Sequence, residues 1–169
     1  MRLGLVADTH DDLRAARAAA DHFASEGVET VAHLGDVVAP FTLAPFDSLD
    51  APFHHVRGNN EGEAALWRAV DALDEGTHHG DAAALDLGGR SVALYHGTSA
   101  LLVDALVASG EYDYVCHGHT HERGVEERDG TVRINPGGLP IPGADDAFHV
   151  GVVDLDAPVG EGAVEFAEL

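Results

Sequence analysis

The 169-residue chain is 45% hydrophobic with 20 glycines, enough for one domain with a sizeable core and unlike a disordered segment. Its formal net charge is −21, lysine is absent and nine arginines are the whole basic complement, which argues against a basic patch for duplex nucleic acid. No apolar run is long enough to cross a bilayer, and the single cysteine, Cys116, excludes an internal disulfide and fits a reducing compartment.

Arg2–Ala7 is a continuous apolar run, expected of a central strand covered on both faces. It is short and ends in an acid, so it reads as a strand rather than a signal peptide, and a cytoplasmic location is expected. Asp11 and Asp12 precede a helix whose apolar face is Leu13, Ala16, Ala20 and Phe23, with Gly27 as its stop. Thr30–Leu34 is the second strand. Pro40 and Pro45 punctuate a loop with a short helix near Thr42–Asp47, and Phe53–Val56 is the third strand. Glu63–Leu73 reads as a helix with Ala65, Leu66, Ala69, Val70 and Leu73 on one side.

After Gly76 the pattern changes. Ala83–Leu87 and Ser91–Tyr95 flank Gly88-Gly89, a hairpin signal. A helix follows at Ala100–Ser109 and a strand at Tyr112–Cys116. Gly124–Glu127 and Thr131–Asn135 flank Asp129-Gly130, a second hairpin. Phe148–Leu155 and Ala163–Ala167 close the fold. A βαβα first half and a second half rich in antiparallel pairs imply two sheets packed face to face with helices outside.

Short polar clusters follow these strands: Asp8-Thr9-His10, Gly35-Asp36, Gly58-Asn59-Asn60-Glu61, His96-Gly97 and Gly118-His119-Thr120-His121. In open α/β sheets, ligands collect beyond the carboxyl ends of strands. Asp8 and His10 reach one ion across a turn. Asp36 has two oxygens and can bridge two ions. Asn59 offers a neutral amide oxygen, and His119 and His121 alternate around Thr120. Each piece alone is common; all of them in this order after strands point to a pair of divalent cations and to hydrolysis of a phosphate ester.

In these motifs the chain resembles the calcineurin-like metallophosphoesterases, specifically their small single-domain bacterial and archaeal phosphodiesterases. The resemblance runs from Arg2 to about Val153 and includes Asn135-Pro136-Gly137. It implies an α/β fold, a four-layer α/β/β/α sandwich with two mixed β-sheets, as one domain over residues 1–169, and frequently a homodimer. It implies one metal held by Asp8, His10, Asp36 and His121, and a second by Asp36, Asn59, His96 and His119. Asp36, Asn59 and His96 would then carry the reaction through a hydroxide bridging ions ~3.5–4 Å apart, attacking phosphorus in line. Two divalent cations outweigh two aspartates and a hydroxide, so the local site stays positive. The ligand set suits Mn, Fe, Ni or Zn better than Mg or Ca, with manganese favoured by the resemblance.

Larger relatives place a histidine, acting as an acid, where this chain has Asn60, which implies modest activity on poor leaving groups. The expected substrate is a small phosphate ester. A phosphomonoesterase or nucleotidase with the same centre stays open, as does a non-catalytic scaffold of the retromer type; a nuclease is opposed by the charge. Substrate choice falls to the loops Val37–Pro45, Glu61–Glu63 and Leu139–Asp146. His54-His55 and His78-His79 read as ordinary surface or strand positions. His33 reads as packed beside the ligands, Glu61 as orienting them, His117 as structural, and Arg57 as part of a salt bridge.

Acidic residues scattered through the chain, without lysine, resemble proteins of salt-loving organisms. The Debye length is only ~3 Å at 1 M salt, so salt screens the self-repulsion. The thermal midpoint is therefore expected to rise from low to molar KCl; a flat response in differential scanning calorimetry would refute the salt adaptation.

Overall fold

The computed structural model describes residues 1–61 and 64–169. Gly62 and Glu63, where the expected Glu63–Leu73 helix begins and the Glu61–Glu63 loop ends, lie outside the described residues. The first half comprises β1 (Arg2–Val6), α1 (Leu13–Ser25), β2 (Thr30–His33), β3 (Phe53–His55), α2 (Ala64–Val70) and β4 (Gly76–His78). The second comprises β5 (Ala82–Leu87), β6 (Arg90–Tyr95), α3 (Ala100–Ser109), β7 (Tyr114–Cys116), β8 (Gly124–Arg128), β9 (Thr131–Asn135), β10 (His149–Asp154) and β11 (Val164–Glu168).

Local chemistry accounts for most of these boundaries. Asp12 caps α1, accepting from the N–H groups of Arg14 at 2.8 Å and Ala15 at 3.2 Å. Ser99 caps α3, which ends at Gly110 in the left-handed region. Two short 3₁₀ turns, Pro40–Leu43 and Phe46–Ser48, replace the single helix expected near Thr42–Asp47. Pro45 has no N–H to continue such a helix. Helix α2 stops at Val70, and Ala72 and Leu73 tighten into three-residue bonds to Ala69 and Val70 that lead to Gly76. Strand β4 did not announce itself in the sequence. Three residues are too few for an alternation pattern, and the strand exists because it pairs in parallel with β3.

The strands form a six-stranded sheet in the order β11-β10-β1-β2-β3-β4 and a five-stranded sheet in the order β5-β6-β7-β9-β8. Both are mixed. β1 runs parallel to β2 and antiparallel to β10, while β7 runs parallel to β6 and β9. Between the sheets lies a core in which Leu3, Leu5 and Leu34 meet Leu94, Cys116 and Ile134. Burial in this core pushes the Cys116 thiol up to about 12, so it acts as a small hydrophobe rather than a nucleophile. Phe23 of α1 and Leu66 of α2 cover the outer face of the first sheet against Val31 and Val150. Val107 of α3 packs on Ala93 and Val115 of the second. The layers are helix, sheet, sheet, helix, and β1, β2, β3, β6 and β7 deliver their carboxyl ends to one edge.

Leu5 is fully buried in the layer between the sheets. Leu5→Ala is expected to cost about 2–5 kcal/mol, seen as a lower urea midpoint with an unchanged slope.

Candidate metal centre

At that shared edge, side chains from both sheets converge. Asp8 Oδ1 lies 3.8 Å from His10 Nε2 and 3.6 Å from His121 Nε2. The two ring nitrogens are 3.3 Å apart. Asp36 Oδ2 lies 3.6 Å from His10 Nε2 and 3.5 Å from His96 Nε2, and so sits between them. His96 Nε2 is 3.0 Å from Asn59 Oδ1. Among the described residues, Asp8, His10 and His121 form one group whose ligand atoms lie within 4.8 Å of one another, and Asp8, Asp36 and His96 form another. The His119 ring stands at the margin, packed edge-on against His96 at 5.2 Å, while its backbone N–H donates to Asp8 Oδ2 at 2.8 Å. The seven side chains singled out in the sequence thus meet, six of them at the centre and one beside it.

Hydrogen bonds behind the rings fix which nitrogen faces inward. His121 Nδ1 bonds the Leu139 carbonyl and His96 Nδ1 the Leu34 carbonyl, each at 2.7 Å, which turns both Nε2 atoms inward. His96 Nε2 meets Asn59 Oδ1 at 3.0 Å, a contact that a proton on the ring or a cation beside it satisfies. Asp8 Oδ1 is buried and has no hydrogen-bond partner among the described residues. An orphaned carboxylate oxygen facing imidazole lone pairs fits a divalent ion better than any other occupant.

The proton distribution agrees. Burial raises the Asp8 carboxyl, only partly opposed by the His96 and His121 charges and the His119 N–H. Burial also works against the Asp36 carboxylate, but His96 and both N–H groups of Asn60 hold it well below the usual range. Burial disfavours a charged His96 ring, yet Asp36 and Asp8 together raise it above the ordinary imidazole value. A cation entering here displaces that proton.

The backbone is bent to make these contacts. Asp8, His10, Asp36, His119 and His121 all have positive φ, between 40° and 73°. Such conformations cluster at functional sites because they carry strain that only a fixed surrounding permits. The neighbouring glycines are there for space. A Cβ at Gly58 would lie 2.1 Å from Asp36 Oδ1, and one at Gly118 would lie 2.8 Å from Asp8 Oδ2.

Further residues hold the segments that carry these side chains. Asn60 donates its backbone N–H to Asp36 Oδ1 at 2.8 Å and its side-chain amide to Oδ2 at 2.6 Å. It therefore orients the central carboxylate, and its adjacency to Asn59 was the available signal. His33, fully buried with its pKa pushed down to about 3 by burial and neighbouring His55, accepts from the Gly35 N–H and bonds Thr9 Oγ1. Asn135, from the Asn-Pro-Gly turn, donates to the Gly118 carbonyl and Thr120 Oγ1 and holds the His119–His121 loop. The Leu34 and Leu139 carbonyls left no side-chain signature to find. Glu61 does orient the ligand loops: its two oxygens accept from Val37 N–H at 2.5 Å and Gly58 N–H at 3.0 Å, bracing the segments that carry Asp36 and Asn59. His117 accepts from Arg133 Nε at 2.9 Å and plays a structural part, and Arg57 pairs with Asp81 at 2.6 Å.

The sequence pattern of the calcineurin-like phosphoesterase superfamily domain matches residues 1–158. The chain belongs to this superfamily. This calcineurin-like phosphoesterase is 37% identical over 138 residues to the phosphodiesterase MJ0936 of Methanocaldococcus jannaschii, across 81% of this chain and 83% of the relative. A solved archaeal phosphodiesterase matches it along the full length of both chains with a TM-score of 0.90 and 32% identity. The phosphoesterase Yfce of E. coli shares the fold, with a TM-score of 0.70 and 21% identity over 92% of this chain and 90% of that one. The four-layer arrangement of this phosphoesterase is the metallophosphoesterase fold.

Burial alone would raise Glu61, but the hydrogen bond and charge of His55 and the Gly58 N–H hold it to about 2, against an ordinary 4.5. Its folded pKa is depressed, so its contribution to stability is complete above pH 4.5 and disappears as pH falls from there through about 2. Glu61→Gln is expected to flatten stability against pH in that window and to weaken metal binding about 10–100-fold. Acid titrations of unfolding and calorimetric metal titrations measure the two effects.

Proposed function

We propose that this chain is a metal-dependent phosphodiesterase, one catalytic domain over residues 1–169. Its dinuclear centre would be held by Asp8, His10, Asp36 and His121 on one side and Asp36, Asn59, His96 and His119 on the other. The observation that carries this reading is the buried Asp8 Oδ1, which has no hydrogen-bond partner among the described residues and faces the inward Nε2 atoms of His10 and His121. Asp36 Oδ2, placed between His10 and His96, supports its role as the shared ligand. Bound there, a pair of divalent ions supplies a water of lowered pKa as nucleophile and neutralises charge on the phosphate.

The chain's own residues do the rest. Asn60 and the rings of His96 and His121, locked by backbone carbonyls, hold the ligands in place before substrate arrives. Asn59 is exposed, which leaves the rim open to an ester from solvent. Beside it runs a cleft lined by Gly58, Asn59, Tyr95, Thr98, Leu102 and the Arg57–Asp81 ion pair, with Tyr95 Oη and Thr98 Oγ1 paired at 2.7 Å. The cleft gives a second substituent somewhere to lie, and this favours a diester over a monoester. Manganese is the first-choice metal, with nickel, iron or zinc able to use the same ligands. The charge and the single cysteine support a cytoplasmic enzyme of a salt-loving organism.

Hydrolysis of monoesters, diesters and cyclic nucleotides, in molar KCl with Mn, Ni, Mg or chelator, tests the reading. Diesters are expected to be cleaved with manganese and not with chelator, and Asp36→Asn is expected to lower the rate by more than about 100-fold. Activity confined to monoesters would overturn the diesterase, and inactivity with every metal would favour a scaffold.

A further inference from the structure

β4 is the outermost strand of the six-stranded sheet, and at its end a second set of imidazoles comes together. His54 Nδ1 stands 3.0 Å from His79 Nε2, with the rings 5.2 Å apart and tilted by 34°. His55 Nδ1 stands 2.8 Å from His78 Nδ1. His54 and His55 are successive residues of β3, so the two pairs lie on opposite faces of the sheet.

The pairs differ in what else they do. His55 is fully buried, its Nε2 bonds Glu61, and His78 is stacked under Trp67 at 5.3 Å with an interplanar angle of 4°. That pair is committed to the brace between the ligand loops. His54 and His79 are each half-buried, and among the described residues their only side-chain hydrogen bond is the one between them. Burial lowers both from the ordinary imidazole value, with His79 adding to the effect at His54 and His55 at His79, and the 3.0 Å contact is a hydrogen bond with one hydrogen between the two nitrogens.

A cation can take the place of that hydrogen. Two imidazole nitrogens about 2.0–2.1 Å from one ion, at an angle of about 90–110°, stand about 2.9–3.4 Å apart. The 3.0 Å separation falls in that range; the rings, which point almost straight at each other with centroids 5.2 Å apart, have to swing to bring both lone pairs onto an ion beside the line between them. We propose that His54 Nδ1 and His79 Nε2 form a further metal site, separate from the Asp8–Asp36 centre, that takes a borderline divalent cation of the zinc, nickel or copper class with water completing its shell. Two nitrogens and no carboxylate select against calcium and magnesium. The dense negative charge of the chain raises the local cation concentration.

Such an ion fastens β3 to the edge strand. The Arg57 N–H donates to the Gly80 carbonyl at 2.7 Å just past the two rings, and Gly58-Asn59 follows directly. The clip therefore closes the sheet edge without touching the Asp8–Asp36 cluster.

Equilibrium dialysis of the full chain against zinc, followed by metal analysis, tests this. His54→Ala and His79→Ala are each expected to bind one zinc fewer than the parent chain while phosphoesterase activity is unchanged. His22→Ala, on α1, is expected to keep the parent stoichiometry. In the parent chain, the ring nitrogen resonances of His54 and His79 are expected to shift on zinc saturation, a measurement that does not depend on the variants folding. Equal zinc content in the parent and folded His54 and His79 variants, a matching loss in His22→Ala, or unmoved resonances would each overturn the site. Should the Asp8–Asp36 centre hold no metal, total zinc falls in every protein, but the difference of one remains.

Discussion

Two carboxylates, Asp8 and Asp36, are sealed at the edge where the sheets meet, in a chain that already carries a formal charge of −21. Among the described residues their ion-pair partners are histidines alone. Like charges at 4–5 Å repel by roughly 3–4 kcal/mol at an effective dielectric of 20, and burial adds a desolvation cost. Such a pairing is offset by a proton on one carboxyl, toward which burial drives Asp8, or by positive charge at the same place. The surface distribution works in the opposite sense, spreading acid over the outside, where salt and water screen it. A metal-loaded cluster, locally cationic inside a globally anionic molecule, would answer both demands at once.

The same constraint explains the backbone. Regular strands alternate their side chains between faces and cannot aim neighbouring residues at one point. Breaking the strand with a left-handed residue does so, and β1, β2 and β7 all run out into such residues at their ligand positions. Cross-loop bonds hold the bends. Asp8 N–H donates to the Gly35 carbonyl, His10 N–H to Asp36, and Leu139 N–H to Asp8. Local strain and a rigid surrounding are two descriptions of one arrangement.

Much of this could be read from the residues. Each ligand cluster is contiguous and follows an apolar run, so the strands, the shared edge and the participating side chains were all visible without coordinates. Legibility ended where the information ceased to be local. β4 is three residues long and is defined by its neighbour. The carbonyls of Leu34 and Leu139 orient His96 and His121 without any side-chain mark. Asn60 stood out as a missing acid, whereas its amide is spent on Asp36. The histidine doublets at 54–55 and 78–79 read as ordinary positions because a partner more than twenty residues away, across a parallel pair, leaves no periodic trace.

The glycines that press against the two aspartates set the terms on which the centre can change. At Gly58 and Gly118 even a methyl group would intrude on a ligand oxygen. Ligand and glycine are therefore interlocked, and lineages departing from this chemistry would have to lose the carboxylate before, or together with, gaining bulk beside it. A descendant that retained Asp36 opposite an alanine would be a steric contradiction, so drift toward a metal-free role has a preferred order of steps written into the packing.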